Sequence, residues 1–467
     1  MSRTLRRRLL FTGLGLVLTA GVALGAYTVF GRREVTTSSS EALRFYRLGR
    51  ENQWNMYYPE AMAAYAEALK RDPNFVMATV RLAGLLWDRD PDRARALLNG
   101  VRPFTGSISE RERYQVRLFE MSMDHKGPKE VEPVLDEYIR RFPEDPDGCF
   151  LRSALYKMTD RMPQAMADLE RVIALNPNNA FAYNELGYYW LGQGDYAKAE
   201  EYLKRYRFLA PDQANPYDSL GELYISTGRY EEAEESLKKA LQVKPDFYLS
   251  VAHLGTLDVA RGDLPAAAER FRSAAEETDS PGARREWLWS ATLSLAVAGR
   301  GEEAVSLMEK WPPMKAESNE TGRTRRERAE SLHRSAILAL VGRTREAAAG
   351  LQALPPLTGD LSQEEKARFD QGVAAIEGVI AEREGRHEEA VEKFHLAIPK
   401  TPATYGFGYF PERDMLQIFL ARNLAALGRS EEAEAALKPV LSRNPKFQPA
   451  VDLLARFKGG TPAAPRS

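Results

Sequence analysis

The sequence predicts an all-α chain, a solenoid of about eleven helix pairs preceded by one transmembrane helix. Three observations predict it. A six-residue phrase occurs seven times at near-regular spacing, the self-similarity of a repeat array. Apolar residues flanking each phrase recur at the 3.6-residue period of amphipathic helices. Leu9 to Phe30 is a run of 22 residues without a charge, close to the ~20 that span a hydrocarbon core as helix.

The N-terminus comes first in the chain. Arg3, Arg6, Arg7 and Arg8 precede the apolar run, and Arg32 and Arg33 follow it. So short and basic a leader resists translocation, which places residues 1–8 in the cytoplasm, 9–30 across the membrane as a signal anchor, and the remainder outside. The rival reading is a cleaved signal peptide and a soluble adaptor, since Ala23-Leu24-Gly25 offers small residues where a peptidase reads. An uncharged run of 22 residues exceeds the ~7–15 of a signal core and favours retention. No cysteine follows the run, which excludes a lipoprotein-type anchor. Gly21 and Gly25 have the G-x-x-x-G spacing that lets two such helices touch, the basis for a possible homodimer. Residues 31–41 read as a polar linker.

The repeat phrases are Gly194-Asp-Tyr-Ala-Lys-Ala199, Gly228-Arg-Tyr-Glu-Glu-Ala233, Gly262-Asp-Leu-Pro-Ala-Ala267 and Gly299-Arg-Gly-Glu-Glu-Ala304, then Gly342-Arg-Thr-Arg-Glu-Ala347, Gly385-Arg-His-Glu-Glu-Ala390 and Gly428-Arg-Ser-Glu-Glu-Ala433. The first three start 34 residues apart, the next step is 37, and the last three steps are 43 each. Each phrase lies between two helical patterns, such as Tyr183, Leu186, Gly187 and Trp190 before it and Ala199, Leu203 and Tyr206 after it. The glycine can adopt the left-handed conformation that ends the first helix, and the acidic residues after it suit the positive end of the second. Small residues at Gly187 and Ala199 permit close approach within a pair. A lone pair cannot bury its apolar stripe, so pairs stack. Ser109 with Glu112, and Ser362 with Glu365, have capping-box spacing.

These positions resemble the tetratricopeptide-repeat (TPR) family. Residues 180–213 carry Tyr183, Leu186, Gly187, Trp190, Ala199, Leu203, Tyr206 and Pro211. Residues 214–247 carry Tyr217, Leu220, Gly221, Tyr224, Ala233, Leu237, Ala240 and Pro245. The next 34 keep Leu254, Gly255, Ala267, Phe271 and Ala274, and the first unit keeps Leu48, Gly49, Ala61, Tyr65, Ala68 and Pro73. The resemblance covers nearly everything after residue 41. It implies a right-handed superhelix whose array at 42–281 has near-34-residue units and whose array at 282–458 has longer units closed by a capping helix, Pro449 to Lys458. Residues 459–467 read as a disordered tail. With the basic leader, it also implies a bacterial protein at the inner membrane with its bulk in the periplasm.

In that family the first helices line a concave groove, so Phe181, Asn184, Tyr188, Asn215, Asp218, Glu222, Leu249, Ala252 and Thr256 are the expected partner-facing residues. The groove has asparagines but no basic partners for a carboxylate clamp, and Asp218 and Glu222 make it acidic. It suits a peptide with apolar anchors and a basic flank. The linker Tyr405-Gly-Phe-Gly-Tyr-Phe410 brings four aromatics, Tyr405, Phe407, Tyr409 and Phe410, which either fold back onto neighbouring helices or form a secondary patch for a partner.

The chain has 65 basic and 66 acidic residues, so nothing steers it as a whole onto nucleic acid. Its single cysteine, Cys149, excludes an intrachain disulfide and reads as a small buried hydrophobe. The histidines, His125, His253, His333, His387 and His395, form no metal-binding pair at helical spacing. Arg323, Arg325, Arg326 and Arg328 are interleaved with glutamates and read as a solvated helix start. No catalytic residue, metal or cofactor is expected. The functional expectation is a membrane-tethered scaffold that binds other proteins, with a regulatory module of changeable pitch as the alternative. An enzyme with TPR decoration would need an unassigned stretch long enough for a catalytic domain, and none exists.

Overall fold

The computed structural model describes residues 35–87, 89–123, 126–159, 161–313, 320–356, 363–398 and 411–459. The expected transmembrane helix with Gly21 and Gly25, the aromatic linker Tyr405–Phe410, His125, the Ser362 capping box and nearly all of the C-terminal tail lie outside them. Among the described residues there is no strand, and no helix is long and apolar enough to cross a membrane.

Among the described residues, twenty-three α-helices follow one another as eleven pairs and a last single helix. The chain divides into two compact units, Met1–Phe142 and Pro143–Ser467. The first holds α1 (Ser40–Trp54), α2 (Tyr58–Arg71), α3 (Val76–Leu86), α4 (Pro91–Val101), a 3-10 turn (Arg102–Ser107), α5 (Glu110–Met123) and α6 (Pro128–Arg141). Tyr46, Tyr65 and Phe75 centre its core, with ring centroids 5.8 and 5.0 Å from Tyr46.

The capping box at Ser109 and Glu112 forms: the Glu112 amide donates to Ser109 Oγ at 3.3 Å and Ser109 N donates back to Glu112 Oε2 at 2.9 Å. Glu112 does more than cap. Its fully buried carboxylate also accepts from Thr36 N at 2.7 Å and Thr36 Oγ1 at 2.5 Å. Thr37 Oγ1 donates to Asp72 at 2.6 Å, and Val35 is buried. The segment 35–39, expected as linker, is thus docked on the first repeats.

The second unit contains α7 (Pro146–Met158), α8 (Met162–Leu175), α9 (Ala180–Gly192), α10 (Tyr196–Leu209), α11 (Asn215–Ser226), α12 (Tyr230–Val243), α13 (Tyr248–Ala260) and α14 (Leu264–Glu277). The longer repeats follow as α15 (Pro281–Val297), α16 (Gly301–Met308), α17 (Glu320–Leu340), α18 (Thr344–Gln352), α19 (Gln363–Arg383), α20 (His387–Ala397), α21 (Glu412–Ala426) and α22 (Ser430–Arg443), with α23 (Gln448–Phe457) last. The expected change of repeat length near residue 281 appears as a change in helix length. First helices grow from 12–13 residues in α9, α11 and α13 to 17 in α15 and 21 in α17 and α19. Their partners α16 and α18 shrink to 8 and 9.

All seven phrase glycines have φ between 75° and 87°, the left-handed conformation that terminates each first helix. Close approach within a pair is equally literal. A Cβ on Gly187 would lie 2.5 Å from Leu203 Cδ2, and one on Gly221 2.7 Å from Leu237 Cδ2. The residue after the glycine performs a second task. Asp195 and Asp263 cap the second helix with their side chains. Where arginine stands there instead, it grips the glutamate three residues on: Arg300 Nε and Nη2 both reach Glu303 at 2.6 Å, and Arg343 and Arg429 repeat the fork with Glu346 and Glu432. These pairs are exposed, so solvent screening leaves each with little net stabilisation.

Candidate functional site

Successive first helices bring four of the expected groove residues, Asn184, Tyr188, Asp218 and Glu222, into one row of polar contacts. Tyr188 OH on α9 donates to Glu222 Oε2 on α11 at 2.8 Å, and Ser219 Oγ donates to Asn184 Oδ1 at 2.9 Å. Asp218 Oδ1 accepts from Ser250 Oγ at 2.7 Å and lies 2.9 Å from His253 Nδ1 on α13. His253 Nε2 is 3.6 Å from Glu222 Oε2. Burial opposes a charged imidazole here, but Asp218 and Glu222 outweigh it and raise His253 to about 9. Burial also pushes the Glu222 carboxyl and the Tyr188 phenol up. Ser250 and His253 address the same Asp218 oxygen, so the imidazole is not placed to take the serine proton. The row sets His253 against Asp218 and Glu222 between helices.

Asn184, Asn215, Asp218 and Ala252 are buried. Asn215 Nδ2 donates to Tyr206 OH at 2.9 Å, and Phe181 packs edge-on against Phe150. Only Phe181, Tyr188, Glu222, Leu249 and Thr256 keep partial exposure. The buried polar residues are satisfied by neighbouring helices of the array, and the last repeat returns beside the exposed part of the row. Tyr230 OH donates to Asn444 Oδ1 at 3.0 Å, Asn444 Nδ2 donates to the Ile225 carbonyl at 2.9 Å, and Lys446 pairs with Glu231 at 3.3 Å. Between Glu222, His253 and Thr256 on one side and Asp414, Arg443 and Phe447 on the other, only about 50 Å³ stays open.

The first-helix face of the long repeats is different. Trp289 of α15, His333 of α17, Phe369 of α19 and Glu412 of α21 surround a cleft of about 460 Å³. Trp289 and His333 stack with centroids 4.5 Å apart, and the Trp289 indole N–H donates to Glu412 at 2.7 Å. Burial, then the nearby Arg285 charge, lowers His333 to about 4, so the ring is neutral at pH 7. Sequence reasoning did not single out this cluster as a site. Its signal was one bulky ring on the first helix of successive long units.

The other singled-out residues are structural. Cys149 is buried and burial raises its thiol. His387 Nδ1 lies 2.8 Å from Asn423 Oδ1. Arg328 departs from a solvated helix start: it is buried, donates to the Pro355 carbonyl at 2.6 Å and covers the Phe369 ring.

Three stretches, residues 153–214, 191–257 and 415–439, match family models described as tetratricopeptide repeat. The chain is a tetratricopeptide-repeat protein. Among solved structures, the TPR array is similar to MamA, residues 41 to the end, from Desulfovibrio magneticus RS-1, at 24% identity over 36% of this chain and 96% of that one, TM-score 0.31. It is similar to PilW, a widely conserved type IV pilus biogenesis factor, at 16% identity over 43% and 91%, TM-score 0.36. A tetratricopeptide repeat protein from Parabacteroides merdae ATCC 43184 aligns at 13% identity over 60% and 98%, TM-score 0.39. No curated protein matches the TPR chain.

Proposed function

We propose that this TPR protein is a non-catalytic scaffold that holds a segment of a partner protein against its first-helix face. Residues 9–30 tether it to the bacterial inner membrane, with the array in the periplasm. One observation carries the binding reading: stacked first helices offer an open cleft of about 460 Å³ on α15–α21, a size typical of recognition pockets (~300–1,000 Å³). The expected face at 181–256 contributes through Tyr188, Glu222 and Thr256, whose access depends on the last repeat. Crosslinking of the tagged full-length chain in cells, followed by mass spectrometry, tests the reading. One or two discrete partners support it, and recovery of no discrete partner contradicts it.

A regulatory reading is favoured by the Tyr230–Asn444 contact. A partner that displaces the last repeat would uncover Glu222, His253 and Thr256 and change the pitch of the array. The tether has its own tests. The intact mass of the mature protein separates a retained anchor from a cleaved signal. A reporter fused after Ser467 that works only in the cytoplasm would overturn the periplasmic placement.

A further inference from the structure

The open cleft combines an aromatic floor with an acidic rim. Glu412 lines it. Glu286 lies three residues before Trp289, so it shares that side of α15. Among the described residues neither carboxylate has an ion-pair partner within 4 Å. Both residues keep exposed surface, yet the surrounding protein raises both carboxyls above the usual range, and the Glu412 charge adds to the effect on Glu286. That combination is what side chains facing a concavity show: solvent reaches them, but they are crowded by protein. The two nearby guanidinium groups are each tied to a backbone carbonyl, although the Arg285 charge still acts on Glu286 and Arg328 covers one face of the Phe369 ring. Arg285 donates to the Pro312 carbonyl at 2.7 Å and Arg328 to the Pro355 carbonyl at 2.6 Å. The His333 ring brings no compensating charge, and its buried Nδ1 makes no hydrogen bond among the described residues.

We infer that the cleft receives a partner segment that inserts an apolar side chain beside Trp289 and Phe369 and sets an adjacent lysine or arginine between Glu286 and Glu412. The inference rests on the scaffold reading and names the partner chemistry. A cation there gains two carboxylates and an aromatic face together, while an acidic segment meets repulsion that the Arg285 charge offsets only in part. The apolar part fills space that Gly372 and Ala375 leave open.

The test uses the purified full-length chain in detergent and three fluorescein-labelled peptides, in which leucine and phenylalanine alternate with lysine, glutamine or glutamate. Fluorescence anisotropy is expected to show the lysine peptide binding about tenfold tighter than the glutamine one, with the glutamate one weakest. Glu286→Gln with Glu412→Gln should erase that preference. The glutamine at 412 retains an oxygen for the Trp289 N–H, and unchanged circular dichroism would show that the variant folds. Equal binding of the three peptides, a preference that survives the double substitution, or no binding to the wild type would overturn the inference. So would phenethylamine binding as tightly as the lysine peptide, which would assign the cleft to a small amine. A discrete partner in the cellular crosslinking without a peptide preference sinks the cleft alone; a lysine preference without any partner sinks the scaffold alone.

Discussion

Asn444 reaches back across 214 residues of sequence to Tyr230, accepting its phenol hydrogen at 3.0 Å while its amide donates to the Ile225 carbonyl at 2.9 Å. Both groups are buried, so each bond lost leaves a desolvated polar atom. Asn444→Ala should cost about 2–3 kcal/mol, and Tyr230→Phe about 1 kcal/mol. In a denaturation-based double-mutant cycle, the pair should cost less than the sum of the singles. Strict additivity would show that the two side chains do not interact in solution.

The same contact sets apart two glycines that are locally alike. Gly228 and Gly428 both sit near φ 75°, where an alanine is strained by about 1–2 kcal/mol. A Cβ at 428 meets open space, whereas one at 228 would come 2.7 Å from Asn444 Oδ1. Gly228→Ala should therefore lower Tm more than Gly428→Ala, with added hydrogen exchange at residues 440–450. Equal losses would place the last repeat away from Gly228.

His253 gives stability a pH dependence of definite sign. Its folded value, about 9, lies above the ordinary 6.5, so protonation favours the folded state. That contribution is complete below about pH 6.5 and fades as the pH rises through 9. Tm should fall over this interval in the wild type and much less in His253→Gln. A wild-type curve that is flat from pH 6.5 to 9 would mean that the Asp218–His253 pair is not charged.

Glu112 ties the chain before α1 to α5. Glu112→Ala removes the acceptor for Thr36 and for Ser109 together, a loss of about 3 kcal/mol from charged hydrogen bonds. Limited proteolysis should then cut near residues 35–39 well before the helices open. A variant as resistant there as the wild type would show that Thr36 is held by other means.

Much of this architecture was legible in the residues. The seven glycines, the close approach at Gly187 and Ala199 and the Ser109–Glu112 box are local patterns, and each follows from spacing alone. The arginine forks were only half legible: Glu303 was read against the positive end of its helix, but its pairing with Arg300 was not. The return of the last repeat was not. Asn444 reads only as the residue before Pro445 that closes a unit, and Tyr230 as one more phrase position. Their meeting depends on small rotations summed over many helix pairs, which no local period encodes. For that reason the neighbours that the last repeat brings to Glu222 and Thr256 could not be foreseen. The cleft escaped for a related reason: Trp289, His333 and Phe369 belong to three separate units, and each alone resembles a packing residue.

The most direct test of a partner held on the long repeats is site-specific photocrosslinking in cells, with benzoylphenylalanine at Ala375 in the cleft and, in parallel, at exposed Glu235 on α12. The account predicts a discrete adduct from position 375 that is absent from 235, carrying a basic residue beside its apolar anchor. Adducts from 235 alone, or the same adducts from both positions, would contradict it.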